Sequence, residues 1–299
     1  ADPSYPLLPI ASITCATLLF LLLAKNIVRK SYNLGVTLLS FWLFWELLTL
    51  GINAVVWADN ANVRLTVYCD IVSRLQLVTS IAKPACSFII TRKLYNTVVR
   101  QSGQYVRHVC LEFFYTHLAL PLDYILQRAR FIIMEGFGCT SAAAIAGLEF
   151  VLIESWRISL PLISVLVYAP RIVLVFYRRN KELNRFLRSN GSVSLDRFFR
   201  VIAIACLDII LSLPFGLVDL IISILKYTEG IGPIPFYPGW SIVHKNWSLV
   251  LAFRYVNVQA AGTWELINFY FPQWSSTVLG FVIFALFGAT EEARATYWR

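Results

Sequence analysis

Tyr68-Cys69-Asp70-Ile71-Val72-Ser73-Arg74-Leu75-Gln76 opens the stretch that decides the fold. From Val67 to Tyr95 the chain is mostly apolar, and a helix of that length reaches about 43 Å, enough to cross a bilayer. Asp70 and Arg74 lie four residues apart with the acid first, which is the favourable order for a pair on one helical face. Because charges at membrane depth normally face protein or a water-filled cavity, we expect other helices to surround this segment.

The composition is that of a membrane protein. Of the 299 residues, 58% are hydrophobic and only 14% are charged, whereas soluble domains have about a quarter charged residues. We therefore predict an all-α membrane protein with a seven-transmembrane helix bundle over residues 1–288. Residues 289–299 are expected to start a cytoplasmic tail as a short amphipathic helix. The net charge of +9 is assigned to basic loops, so no nucleic-acid partner is expected.

Seven apolar spans are predicted in chain order. They cover Tyr5–Ala24, Tyr32–Trp57, Val67–Tyr95, Val106–Gln127, Gly147–Tyr177, Phe198–Leu225 and Ala260–Gly288. A long connector, Lys226–Gln259, separates the last two spans and is rich in proline and aromatic residues. Long connectors are usually functional or disordered, and these aromatic residues favour an ordered lid over the outer mouth of the bundle.

The basic residues outside the spans are unevenly distributed, with 16 on one side of the membrane and 6 on the other. Since cytoplasmic loops are enriched in Lys and Arg, the N-terminus is predicted outside and the tail inside, in a multi-pass protein of the plasma membrane. Cys69 and Cys139 fall on the outer side, where an oxidising compartment permits a disulfide. The alternative is two unpaired buried thiols.

Ionisable residues of opposite sign occur at matched depths in different spans. The pairs are Glu46 with Lys83, Arg171 with Asp208, and Arg157 with Asp219. Such pairs either lock the bundle or form ion sites in a small secondary transporter or channel, for which internal repeats would be the supporting sign. We see no such repeat. Arg171 and Asp208 are expected to form a switch with Pro214, as an inner latch below a proline kink.

Enzyme signatures are absent from the sequence. The three histidines show no HExxH spacing, the cysteines show no metal-binding pair, and no glycine-rich phosphate loop precedes a helix. We therefore expect a non-enzymatic protein without a metal or another cofactor.

Short motifs recur in order from the third span to the end of the chain. They are Tyr68-Cys69-Asp70-Ile71, Pro84-Ala85-Cys86, Arg92 with Leu94 and Tyr95, Gly138-Cys139, Val175-Phe176-Tyr177-Arg178-Arg179, Arg197-Phe198 with Arg200, Leu213-Pro214-Phe215 and Leu286-Phe287-Gly288. This series resembles the fungal receptors for lipid-modified (a-factor-type) mating pheromones, which are class D G-protein-coupled receptors. A DRY-type triplet after the third span and an NPxxY motif in the seventh are both missing, which argues against a rhodopsin-like receptor.

The resemblance implies a receptor that binds a farnesylated peptide pheromone and activates a heterotrimeric G protein in the mating response. Polar and aromatic groups toward the outer ends of the spans are expected to bind the ligand: Asp70, Arg74, Glu149, Trp156, Arg157, Asp219, Trp240, Trp264, Glu265 and Asn268. Basic residues at the inner ends are expected to contact the G protein: Arg92, Lys93, Arg178, Arg179, Lys181, Arg185 and Arg197. The same charges also serve as a topology signal and attract anionic lipid. The sequence leaves the oligomeric state open, and a homodimer is compatible with it.

Overall fold

The computed structural model describes residues 4–29, 34–100, 124–175, 177–178, 195–230 and 232–289. Most of the fourth predicted span, the basic loop after the fifth span and the terminal amphipathic piece lie outside these residues. The count of seven spans, the outer position of the N-terminus and the terminal helix therefore stay predictions.

The principal helices of the described part of the chain follow one another in this order. They are α1 (Leu7–Arg29), α2 (Leu34–Val56), α3 (Thr66–Tyr95), α4 (Gly147–Val175), α5 (Leu195–Gly230), α6 (Trp240–Val243), α7 (Tyr255–Ala260) and α8 (Thr263–Phe287). Helix α4 is not uniform, since it widens into π turns at Phe150–Glu154 and Ser164–Tyr168. Helix α5 begins earlier and ends later than its predicted span.

Five helices within the described ranges, α1, α2, α4, α5 and α8, are long and apolar enough to cross a membrane. Large apolar side chains such as Leu166 and Val173 of α4 and Ile210 and Ile221 of α5 are exposed on the outside of the bundle. Extended apolar surface of this kind is covered by lipid in a membrane protein.

Helix α3 is the centre of the bundle. It is 30 residues long, which corresponds to about 45 Å, and it packs against α2, α4 and α5. Residues 84–87 are all buried, and since four consecutive residues take in a full helical turn, protein surrounds the helix at this level. A helix is present where the third span was predicted, with its start one residue earlier, and its crossing of the membrane stays a prediction.

A small β-sheet lies at one end of the bundle, which we call the sheet end. Its strands are β1 (Phe131–Met134), β2 (Gly138–Thr140) and β3 (Val250–Phe253), in the order β2-β1-β3. Strand β1 pairs antiparallel with β2 and parallel with β3. The prediction of an all-α protein was wrong in this respect, because strands of three or four residues are too short for a readable alternation.

The β1–β2 hairpin is fastened to both α2 and α3. A disulfide joins Cys69 of α3 to Cys139 of β2, which confirms the predicted bond. Gly138 has a φ of +76°, and a Cβ at this position would come within 2.5 Å of the Asn53 side chain on α2. Only glycine allows so close an approach with this backbone conformation.

We call the opposite end of the bundle the far end. Here basic side chains of α1 and α5 donate hydrogen bonds to backbone carbonyls in the last turn of α8. Arg200 donates to the Leu286 carbonyl at 3.1 Å and Lys25 donates to the Phe287 carbonyl at 2.8 Å, the usual way in which basic side chains satisfy the end of a helix. Tyr95, at the end of α3, lies at the far end, where Arg171 contacts it. Gln127 lies at the sheet end, where it forms an isolated antiparallel β-bridge with Ala143.

The long connector is ordered from residue 232 onward, whereas its first residues, up to Gly230, continue α5. The amides of Gly147 and Leu148 donate to the carbonyls of Pro235 and Phe236 at 3.0 and 2.9 Å, which attaches the connector to the start of α4. Its later part supplies α6, β3 and α7. The connector therefore contains regular secondary structure. Its role as a lid over the bundle stays a prediction.

Candidate ligand-binding site

A cavity of about 380 Å³ opens between the helices, on the far-end side of the sheet. Its walls come from α2, α3, α4, α5 and α8, while Phe137, Cys139 and Thr140 of the hairpin border it at the sheet end. Pockets that hold small ligands in proteins measure roughly 300–1,000 Å³. The cavity is thus large enough for part of a peptide or for a small molecule.

Aromatic side chains form part of the apolar wall of the cavity. Phe137 stacks on Phe269 at 4.9 Å and meets Tyr270 edge-on at 5.1 Å, while Phe215 stacks on Phe271 at 4.5 Å. These pairs join the hairpin to α8 and α5 to α8. The aromatic rings provide apolar contact area to a ligand and fix the shape of the cavity.

A cluster of charged and polar groups lies deep in the cavity. Lys83 Nζ is 2.7 Å from Glu46 Oε1 and donates to Ser276 Oγ at 2.8 Å, and Ser276 donates to the same carboxylate oxygen at 3.0 Å. This confirms the pair predicted from matched depth and adds Ser276. Three helices, α2, α3 and α8, therefore meet at one polar contact, where each charge has a partner, as membrane depth requires.

The pair predicted between Arg157 and Asp219 is not the contact that forms. Arg157 lines the cavity and bonds to Glu154, one turn away on the same helix, at 2.5 Å. Asp219 instead accepts hydrogen bonds from Asn268 at 2.7 Å and from Trp264 at 3.3 Å. Equal depth did not predict these partners, because the nearest groups lie on the same helix or on α8. Four predicted ligand residues nevertheless occur in this region of the bundle.

The predicted latch between Arg171 and Asp208 is also wrong as a direct contact. Asp208 is buried, and its carboxylate accepts a hydrogen bond from Ser87 of α3. Arg171 lies against Tyr95, with 3.5 Å between the guanidinium and the phenol oxygen. Ser87 and Tyr95 are eight residues apart on α3, about 12 Å along the helix axis, so the two side chains meet α3 at different levels. Pro214 lies within α5, as expected.

Asp70 and Arg74 take their partners from the loops at the sheet end. Arg130 forms two hydrogen bonds with the Asp70 carboxylate, at 2.9 and 2.6 Å, and Arg74 donates to the side chain of Gln127. The hydrogen bonding and the negative charge of Asp70 raise the pKa of the Arg130 guanidinium. Trp247 of the connector donates to the same Gln127 oxygen at 2.9 Å, so these residues form one network between α3 and the loops.

The remaining predicted ligand residues lie around this region. Trp240 stacks on His244 at 3.7 Å, in an aromatic group that includes Tyr124. Glu265 forms an exposed ion pair with Lys226 at 2.8 Å. Trp156 packs in the apolar cluster around Ile81, and Glu149 lies in the first turn of α4. Of the predicted set, Arg157 and Asn268 line the cavity itself.

The predicted G-protein residues are only partly within the described chain. Arg92 and Lys93 occupy the last turn of α3 at the far end, and Arg178 is an exposed helical residue. Arg197 belongs to the first turn of α5, and Arg179, Lys181 and Arg185 lie outside the described residues. Their role in coupling stays a prediction.

Comparison with known proteins decides which class of membrane protein this bundle represents. The family model of the pheromone A receptor, STE3, matches residues 7–299. The chain belongs to the pheromone A receptor family. This result confirms the resemblance seen in the motifs and favours a receptor over the transporter or channel that was kept as an alternative.

Individual relatives cover nearly the whole chain. The chain is 26% identical to the pheromone B alpha 2 receptor of Schizophyllum commune over 99% of its own length and 46% of the relative. It is 26% identical to pheromone receptor 2 of Mycosarcoma maydis, over 90% of the chain and 78% of the relative. It is 23% identical to the pheromone a factor receptor of Saccharomyces cerevisiae, over 96% and 60%. The chain spans about half the length of the Schizophyllum receptor that it matches.

Sequence reasoning missed several residues of the receptor's cavity. Gln273, Ser276 and Ser212 line it together with Phe137 and Phe269, and none of them was among the predicted ligand residues. A signal was present for two of them, since Gln273 and Ser276 are polar residues in the middle of an apolar span. Phe137 could not be assigned, because its place depends on how the hairpin folds over the bundle.

Proposed function

We propose that this receptor binds a farnesylated peptide mating pheromone and activates a heterotrimeric G protein on the opposite side of the membrane. The observation that carries the proposal is the family match over residues 7–299. The described structure is compatible with it, because a cavity with aromatic and polar walls lies inside the bundle, between a loop-covered end and a basic end.

The sheet end is proposed to face outside. The disulfide between Cys69 and Cys139 lies there, and disulfides persist in oxidising compartments. Basic residues accumulate at the far end, among them Lys25, Arg92 and Arg200, as the positive-inside rule expects for a cytoplasmic face. In this orientation the cavity lies beneath the hairpin on the side from which a secreted pheromone arrives.

The lipid on the pheromone is proposed to supply much of the affinity. Each buried CH₂ group is worth about 0.8 kcal/mol, so a farnesyl chain gains several kcal/mol wherever it is removed from water. The peptide would then provide selectivity through polar contacts, because a hydrogen-bonding site rejects ligands that leave its polar groups unpaired.

At the far end, Arg92 and Lys93 in the last turn of α3 and the basic residues around Arg178 are proposed to contact the G protein. Ligand binding would shift the receptor toward an active arrangement only by the difference in its affinity for the two states. Contacts that cross between helices, such as Asp208 with Ser87 and Arg200 with the Leu286 carbonyl, are the ones that such a shift would have to change.

A binding experiment with matched peptides tests the ligand part of the proposal. A farnesylated peptide pheromone from a compatible mating type should bind the purified receptor, and the same peptide without the farnesyl group should bind at least about a hundredfold more weakly. Equal affinity for the two peptides would rule out a role for the lipid.

A further inference from the structure

Four buried polar atoms belong to residues that line the cavity and receive no hydrogen bond from the residues that the structure describes. They are Glu46 Oε2, Ser212 Oγ, Asn268 Oδ1 and Gln273 Oε1. The orientation of the Asn268 amide is set by its own contact, since its nitrogen donates to Asp219 at 2.7 Å. Its oxygen is therefore the atom left over. Buried acceptors without a donor are unfavourable, so the cavity is suited to a ligand that brings donors.

A prenyl chain cannot satisfy these atoms, because it contains no hydrogen-bond donor. A peptide backbone can, since every residue other than proline carries an N–H group. A lipopeptide contains both a prenyl chain and a peptide, and only the peptide brings the hydrogen-bond donors that the buried acceptors lack. The wall matches the peptide.

The height that separates two of the acceptors along the axis of α8 is close to the repeat of an extended chain. Asn268 and Gln273 are five residues apart, which corresponds to about 7.5 Å along a helix axis. In an extended peptide, the N–H groups on one edge recur at every second residue, about 6.8 Å apart. Glu46 lies further toward the far end, at the level of Ser276, to which its other carboxylate oxygen is bonded at 3.0 Å.

We propose that the cavity receives the peptide part of the pheromone as an extended segment and that the prenyl chain stays outside it. Backbone N–H groups of the ligand donate to Asn268 and Gln273, and Glu46 Oε2 is the deepest acceptor. This assignment rests on the proposed function and adds which part of the ligand enters. It depends on backbone groups, so it does not require a particular pheromone sequence.

Two probes separate the lipid from the peptide. The first is S-farnesyl-cysteine methyl ester, and the second is the same ester extended at its amino group by acetyl-trialanine. Binding of both to the purified receptor is compared for the parent, Gln273→Leu and a control, Gln259→Leu, which replaces an exposed amide outside the cavity. A third probe carries N-methyl groups on the alanine amides and removes the donors without altering the protein.

The trialanine extension should tighten binding to the parent by about fivefold for each hydrogen bond formed. Gln273→Leu and N-methylation should each reduce this gain, and Gln273→Leu should cause no further loss with the N-methylated probe, because the donor to Gln273 is already absent from it. The Gln259→Leu control should bind all probes like the parent.

Three results would overturn the inference. If the ester alone binds and the extension adds nothing, the peptide does not use the cavity, and the proposed function stands without it. If Gln273→Leu strengthens binding of the ester alone, the prenyl chain occupies the cavity. If neither probe binds the parent, the inference and the proposed lipopeptide ligand fail together.

Discussion

Replacing Lys83 by methionine removes the cation that contacts Glu46 inside the bundle. The side chains of this pair are only 17% and 18% exposed. When one partner of a buried ion pair is removed, the other is left uncompensated, at a cost of about 3–5 kcal/mol. Because the pair borders a cavity, which leaves some access to water, we expect the lower end of this range, about 3 kcal/mol. The double variant Lys83→Met/Glu46→Leu removes both charges and should recover most of the loss.

The assay is thermal unfolding of the purified receptor in detergent micelles. A loss of about 3 kcal/mol corresponds to a decrease in Tm of roughly 6 °C or more for a chain of this size. The matched control is Lys226→Met, which breaks the exposed pair with Glu265, whose side chains are 46% and 35% exposed. Exposed pairs contribute at most about 1 kcal/mol. If Lys83→Met unfolds at the temperature of the control, or if the double variant is the least stable, the buried pair does not hold α2 to α3.

Three further outcomes follow from named contacts. Replacing both Cys69 and Cys139 by serine opens a loop with a sequence separation of 70 and should cost about 2–4 kcal/mol, and an unchanged Tm would mean that the bond does not stabilise the sheet end. Gly138→Ala should weaken pheromone binding, because the new Cβ would meet α2 at 2.5 Å and force the hairpin away, whereas parental affinity would show that the hairpin does not shape the site. Ser87→Ala removes a hydrogen bond to Asp208 between α3 and α5 and should raise basal nucleotide exchange about threefold, and basal exchange equal to the parent would exclude a role for this contact in the resting state.

The helices could be predicted because membrane spans have a strong and local signal. An apolar run of about 20 residues predicts a span. Helix α3 could be recognised although it contains Asp70 and Lys83, because the segment around these charges is mostly apolar and has the right length. The disulfide was predictable for a similar reason, because the topology placed both cysteines on one side. The sheet was not, since β1 and β3 are separated by more than a hundred residues and pair in parallel.

Depth along a helix predicted one ion pair and failed for two. Glu46 and Lys83 pair because they share both a level and a facing side. Asp208 bonds to Ser87, whereas Arg171 lies against Tyr95, eight residues further along α3, so the depths counted from the predicted span ends were not equal for this pair. A residue count gives the rise along the axis, whereas the direction around the axis depends on how each helix is rotated in the bundle. The residues that line the cavity could not be predicted from the sequence for the same reason, because they depend on which polar residues of several helices face one another.

The most direct test of the account is guanine-nucleotide exchange on a heterotrimeric G protein added to the purified receptor. A farnesylated peptide pheromone from a compatible mating type should accelerate exchange in a concentration-dependent way, and the same peptide without the lipid should do so only at much higher concentration. An exchange rate that stays at the basal value at saturating farnesylated pheromone, with binding to the receptor demonstrated in the same sample, would contradict the proposed function.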